Sequence, residues 1–327
     1  MTPIDVVNAA QRNEASPSSI SRVKASAGKK KQVATRRAGV QATAKTKKAS
    51  APRTVSPTSA YSHEKPPEVK SGVAIVVEQT GGGALFQKNA SAVVPIASIS
   101  KLMTAMVVLD AWPDLRAPIS ITEDDIDHLR GSHSRLQPGA TMTQETALLL
   151  ALMSSENRAA HALARHYPGG MAAFVATMND KALSLGMSHT RFEEPTGLSS
   201  NNVSTARDLA KLVAAAYRYP LIREFSTKAK VTVEIAGRPL EFRNTNPLVK
   251  NASWNVGLSK TGYIQEAGKC LVMQARVADR PVVIVLLDSV GELTRVGDAN
   301  RIRRWMEARL AAHGLHAWQT SSAPAPG

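Results

Sequence analysis

The chain's apolar and polar positions change pattern near residue 68. Before it, Ala, Ser, Lys, Arg, Thr and Pro follow one another with no sustained apolar period, ending in "APRTVSPTSAYSHEKPPEVK". Such a stretch buries too little apolar surface to offset its ordering entropy, so residues 1–68 read as a disordered basic linker. From Ser71, "SGVAIVVEQT" has the composition of a strand; Gly81-Gly82-Gly83 reads as a turn and "ALFQKN" as the returning strand. "SISKLMTAMVVLDAW", Ser98 to Trp112, is apolar almost all round, as in a helix buried inside a domain.

Further helices follow. "TQETALLLALMSS" and "NRAAHALARHY" are separated by a break at Ser155 and Glu156; Met171 to Leu185 is ended by Gly186; "STARDLAKLVAAAYRY" starts from a Ser204 or Thr205 cap and stops before Pro220. Strand-like runs come next: "AKVTVEIAG", "LEFRNTN", "NVGLSKTGY", "KCLVMQARV" and "PVVIVLLDS". An amphipathic helix from about Thr294 to Ala312 precedes a loose end, and 315–327 reads as a flexible tail. Two strands, a block of helices, more strands and a last helix fit an α+β fold, a mainly antiparallel sheet flanked by helices. The folded region is placed at 69–314.

Composition changes this picture little. The chain has 327 residues, 43% of them hydrophobic and only 4% aromatic, so the core rests on aliphatic side chains and Met. The net charge of +15 is uneven: 13 of the 41 Lys and Arg, but 3 of the 26 Asp and Glu, lie in residues 1–65. That tail could bind a polyanion through counterion release, such as an anionic polymer of a cell envelope, but it lacks the interleaved aromatics that would stack on bases. No apolar run is long enough for a transmembrane helix, and "MTPIDVVNAAQRNEAS" is interrupted by Asp5, Gln11, Arg12 and Asn13 before a secretory apolar core develops. The eight His show no metal-ligand spacing, and the single Cys270 lies on a strand where packing is the expected role; no metal or cofactor is expected.

The chemistry concentrates in a few places. Ser98 and Lys101 stand at i and i+3 at the mouth of the buried helix, so they share a face. A serine hydroxyl attacks only when a neighbour takes its proton, and a lysine can do so once burial or a nearby cation lowers its pKa. The same spacing at Ser21–Lys24, Ser26–Lys29 and Ser62–Lys65 has no apolar helix behind it. Ser155 and Asn157 occupy the break between two helices, where they could relay a proton and bind an amide or cap a helix; similar Ser-x-Asn triplets occur at Ser199, Ser200 and Ser253. Lys260-Thr261-Gly262 occurs once, on a predicted strand, where a cation and a hydroxyl suit a carboxylate and a glycine admits close approach of a backbone.

Taken in order, Ser-x-x-Lys, Ser-x-Asn and Lys-Thr-Gly resemble the low-molecular-weight penicillin-binding proteins, the serine-type D-alanyl-D-alanine carboxypeptidases and endopeptidases. The resemblance extends over Ser71 to Gly314, through "VVPIASISKLMTAMVVLDA", "LLLALMSSENRAAHALARHY", "FEEPTGLSSNNVSTARDLAKL" and "LSKTGYIQEAGKCLVMQA". It implies the β-lactamase/penicillin-binding-protein-like transpeptidase fold, Ser98 as nucleophile, Lys101 as base and Ser155 as proton relay. It further implies substrate binding by Asn157, Lys260, Thr261 and Gly262, and an oxyanion hole from the N–H groups of Ser98 and Tyr263. Peptidoglycan peptides would be substrates, β-lactams covalent inhibitors, and the location periplasmic. Glu193 and Glu194 sit in the peptidase-like block before "PTGLS", which favours a peptidase over a class A-like β-lactamase. Only about 65 residues follow Gly262, which favours the endopeptidase branch over the carboxypeptidases.

Overall fold

The alternation in "PVVIVLLDS" is the key to the architecture. A computed structural model describes residues 65–321 apart from Gly82 and Trp112. They belong to one of two units of the chain, Ser62–Gly327; the other, Met1–Tyr61, lies outside the described residues, as do most of the expected linker and the polyanion-binding role read from it. Strand β11 (Arg280–Ser289) points Val283, Val285 and Leu287 into one apolar cluster and Val282, Ile284 and Leu286 into another. Both faces are buried, so the strand is apolar at successive positions rather than at every second one.

Around it a five-stranded antiparallel sheet runs β2-β1-β11-β10-β9, with β1 Val73–Glu78, β2 Ala84–Lys88, β9 Asn255–Ile264 and β10 Gly268–Val277. β1 pairs with β11 from Val73↔Leu287 to Glu78↔Val282, so the first strand of the folded unit lies beside its last strand. The helix α7 (Thr294–Ser321) covers one face through Ala299, Ile302 and Met306. It continues past the Ala312 end expected from the sequence and takes in residues 315–321, which were expected to be tail.

The other face carries the helical block: α1 (Ser100–Asp110), α2 (Gln144–Met153), α3 (Asn157–Arg165), α4 (Gly170–Ser184) and α5 (Ala206–Ala216). In α1 every residue from Ser100 to Val108 is buried, as its all-round apolar pattern predicts. Short two-stranded pairings brace the block: β3 (Val94–Pro95) with β6 (Val203–Ser204), and β4 (Pro118–Ser120) with β5 (Thr141–Thr143). One element is added here and one expectation corrected. α5 stops before Pro220 as expected, and Pro220 opens a further helix, α6 (Pro220–Thr227), at the first turn, where its missing N–H costs nothing. The runs after it, β7 (Lys230–Ile235) and β8 (Arg238–Arg243), form a separate hairpin rather than joining the main sheet.

Asp298 on α7 staples the entry of the chain to this core. It is fully buried and accepts from Lys70 N (2.9 Å), Ser71 N (2.7 Å) and Ser71 Oγ (2.6 Å), with Arg301 as counter-ion. Burial pushes the carboxyl up, but these donors outweigh it and hold it below its ordinary value. Asp298→Ala would leave buried N–H groups without an acceptor, so urea unfolding should show a loss of about 2–3 kcal/mol. A loss below about 0.5 kcal/mol, the level of an ordinary surface change, would contradict this role.

Candidate active site

The site forms where the N-terminus of α1 meets β9, the edge strand of the sheet. Ser98 lies in a 3-10 turn, Ala97–Ile99, that leads into α1. Ala97 takes a left-handed φ of 48°, and so does Ser155 at 63° in the break between α2 and α3. Such conformations in non-glycine residues persist only where surrounding contacts impose them, and here they fall beside Ser98 and at the serine that Lys260 bonds. Two glycines let the surrounding chain close on the turn. A Cβ at Gly197 would fall 2.0 Å from Ala97 O, and one at Gly262 would fall 2.9 Å from Ser98 N. Asn202, fully buried, pins the Gly197 loop to α1 by donating to Ser100 Oγ at 2.9 Å and to Glu194 O at 2.8 Å.

Lys101 follows Ser98 by one helical turn and is 1% exposed. Its Nζ donates to Ser98 Oγ (2.9 Å), Asn157 Oδ1 (2.7 Å) and Thr196 O (2.5 Å), which uses all three ammonium hydrogens. Burial lowers its pKa from 10.5 to about 8, against the opposing pull of Glu194, Glu156 and Asp127. Across the cleft Lys260 on β9 is equally buried and donates to Ser155 Oγ and to Thr261 O, both at 2.8 Å. Burial, with Lys101 and Arg295 nearby, drives its pKa well below the ordinary lysine value. Ser98–Lys101 and Ser155–Lys260 are thus two serine–lysine pairs on one cleft.

The structure therefore brings together all eight residues expected from the sequence: Ser98, Lys101, Ser155, Asn157, Lys260, Thr261, Gly262 and Tyr263. Six of them line a cleft of about 560 Å³, with Lys101 and Lys260 buried behind its wall. Among the described residues, no acidic side chain lines it. Glu193 and Glu194 are held by other bonds: Glu193 accepts from Ser199 and Asn201, and Glu194 from the N–H groups of Thr196 and Gly197, both at 2.6 Å. Tyr263 is 59% exposed on the edge strand, with the Lys269 ammonium over its ring.

Other lining residues had no signal in the sequence. Arg295, from α7, donates to Gly262 O (3.2 Å) and Cys270 O (3.3 Å), adding a cation beside the Lys-Thr-Gly strand. Thr245, from the segment after β8, accepts the Thr261 hydroxyl at 2.6 Å. Ser132 and Arg130 come from the loop before β5. Each reaches the site through tertiary contact alone, in no recurring spacing. Cys270 is fully buried and its thiol is pushed up to about 12 by that burial, which suits packing. His161 bonds Asp125 at 2.7 Å, and no group of acidic, His and Cys side chains suited to a metal ion lies among the described residues.

The sequence profile of D-alanyl-D-alanine carboxypeptidases, the S11 peptidases, matches residues 60–291. The chain belongs to this S11 family of serine D-alanyl-D-alanine peptidases. Among S11 relatives, the D-alanyl-D-alanine endopeptidase of Pseudomonas aeruginosa is 50% identical over 242 residues, covering 73% of this chain and 78% of the relative. That of Escherichia coli K12 is 47% identical over 259 residues, 79% of this chain and 84% of the relative. The Streptomyces K15 DD-transpeptidase superposes with a TM-score of 0.69 at 27% identity, over 74% of this chain and 98% of its own. The family and the fold expected from the ordered motifs are both borne out.

A depressed lysine has a direct readout. In an NMR titration of isotopically labelled lysine, Lys101 should lose its proton near the value of about 8 to which burial lowers it. Titration at the ordinary 10.5 would contradict the burial argument.

Proposed function

We propose that this chain is a D-alanyl-D-alanine endopeptidase, cleaving peptidoglycan cross-links outside the cytoplasm through an acyl-enzyme on Ser98. The observation that carries the reading is the 2.9 Å bond from the buried Lys101 Nζ to Ser98 Oγ. Ser98 Oγ attacks the D-alanyl carbonyl carbon while neutral Lys101 takes its proton. The N–H groups of Ser98 and Tyr263 receive the developing oxyanion. When the C–N bond breaks, Ser155, held by Lys260, passes its proton to the leaving amine and takes in return the proton that Lys101 carries, so Lys101 is neutral again. Water then attacks the ester carbonyl while Lys101 takes its proton, and as the ester C–O bond breaks Lys101 gives that proton to Ser98 Oγ, which restores both groups.

Binding follows from the same strand. Thr261, Lys260 and Arg295 supply the hydroxyl and positive charge for the carboxylate beside the scissile bond. Asn157 binds the amide on the acyl side, and Gly262 lets the substrate backbone lie against β9. A β-lactam carries an amide carbonyl and a carboxylate in the same relation, so it would acylate Ser98 and leave slowly. Glu194 is held by the Thr196 and Gly197 N–H groups, and no acid is among the described residues lining the cleft. Both support a peptidase over a class A-like β-lactamase, which needs a glutamate to activate the deacylating water. The endopeptidase preference is supported by the names of the two relatives near 50% identity. No helix among the described residues is long and apolar enough to cross a membrane.

Incubation with cross-linked muropeptides should convert dimers to monomers, and Ser98→Ala should slow this by about a thousandfold or more. Release of free D-alanine with the dimers intact would assign the carboxypeptidase activity instead. Rapid turnover of nitrocefin would favour the β-lactamase.

A further inference from the structure

Asn157 has one amide oxygen and two amide hydrogens, and its orientation matters because Lys101 is a donor. Its Oδ1 accepts from Lys101 Nζ at 2.7 Å. On the other side its Nδ2 donates to Ser132 Oγ at 3.0 Å. A flipped amide would set NH₂ against the ammonium, donor against donor. Ser132 lies on the cleft wall, in the loop between the 3-10 turn Glu123–Asp125 and β5.

That loop is folded around one carboxylate. Asp127 Oδ1 accepts from Leu129 N and Arg130 N, and Oδ2 from Ser132 N, all at 2.9 Å. Burial pushes the Asp127 carboxyl up, but the Ser132 hydroxyl and these N–H groups outweigh it and hold it below its ordinary value. A carboxylate can only accept, so a Ser132 hydroxyl turned toward Asp127 keeps its lone pairs for Asn157. The loop is clipped in place by Arg130, which donates to Leu198 O at 2.5 Å and pairs with Glu266, from the β9–β10 hairpin, at 2.9 Å.

We propose that Ser132, set by Asp127, is a positioning residue for acylation: its hydroxyl takes one Asn157 N–H, turns Oδ1 onto Lys101 and leaves the second N–H for a substrate carbonyl. The inference rests on the acyl-enzyme reading given above. It links the loop to the base through unbroken contacts: Asp127, Ser132, Asn157, Lys101, Ser98. The charges facing Lys101 from the elements around it are Glu194 from the Gly197 loop, Glu156 at the start of α3 and Asp127 from this loop. Lys260 faces it from β9, with Arg295 of α7 behind. Loosening Asn157 removes an acceptor from the ammonium, and neutralising Asp127 removes a favourable charge. Both changes make the proton easier to lose.

The test is the rate of acylation of the full chain by a fluorescent penicillin from about pH 6 to about pH 10, for wild type, Ser132→Ala, Ser132→Thr and Asp127→Asn. Thermal unfolding of each variant checks that it is folded. Ser132→Ala should lower the maximal rate about tenfold. It should also move the acid limb of the profile to lower pH by about half a unit. Ser132→Thr should restore both, and Asp127→Asn should move the limb in the same direction. A Ser132→Ala variant with the wild-type rate and profile would overturn the inference while leaving the peptidase reading intact. So would a uniform fall at every pH that threonine does not rescue, since that is the mark of structural support alone. A wild type that is never labelled would overturn the peptidase reading, and this inference with it.

Discussion

The site depends on one constraint: an amine buried at 1% exposure inside an apolar helix, within reach of a serine. An ammonium in such a place loses its hydration and must be compensated by protein acceptors. Lys101 has three, and each comes from a different segment: Ser98 from its own turn, Asn157 from α3, and Thr196 from the loop after α4. The compensation is incomplete by design of the surroundings. Burial wins over the three carboxylates around it, so the pKa falls to about 8 and the amine can release its proton in a mild pH range. A fully exposed lysine would stay protonated there, and an unsupported one would not hold its geometry.

The fold supplies the second half. A sheet buried on both faces leaves β9 as an edge, with β10 on one side and the cleft on the other. Gly262 and Gly197 let that edge and the 193–202 loop press onto the Ser98 turn, closer than any side chain would permit. Lys260 then reaches Ser155 across the cleft, and Arg295 arrives from α7, which is held to the sheet by its own apolar cluster. The two cations beside Thr261 and Gly262, Lys260 and Arg295, thus come from a strand and a helix packed on the same sheet. Their spacing is set by core packing rather than by flexible loops.

Much of this was legible in the sequence because it is written in local pattern. The buried Ser100–Val108 stretch shows as a helix with no polar face, β11 as a run of β-branched residues, and Ser98 and Lys101, the proposed nucleophile and base, as two positions one turn apart. The strand Lys-Thr-Gly was readable for the same reason. The contributions of Arg295, Thr245 and Ser132 were not, since each enters through a contact between segments distant in sequence. The helix that Pro220 opens was not read because the residue that stops one helix is equally suited to begin another. The β7–β8 hairpin misled because its alternation, half-buried along β7, does not say which sheet a strand joins.

The central claim is that Ser98 is the nucleophile and Lys101 its base. Mass spectrometry of the full chain after brief exposure to benzylpenicillin tests it most directly, with proteolytic mapping of the adduct. The account predicts one penicilloyl group per chain, carried on the peptide containing Ser98, and none on a folded Ser98→Ala variant. An adduct of equal yield in that variant, or one mapped to Ser155 or any other residue, would contradict it.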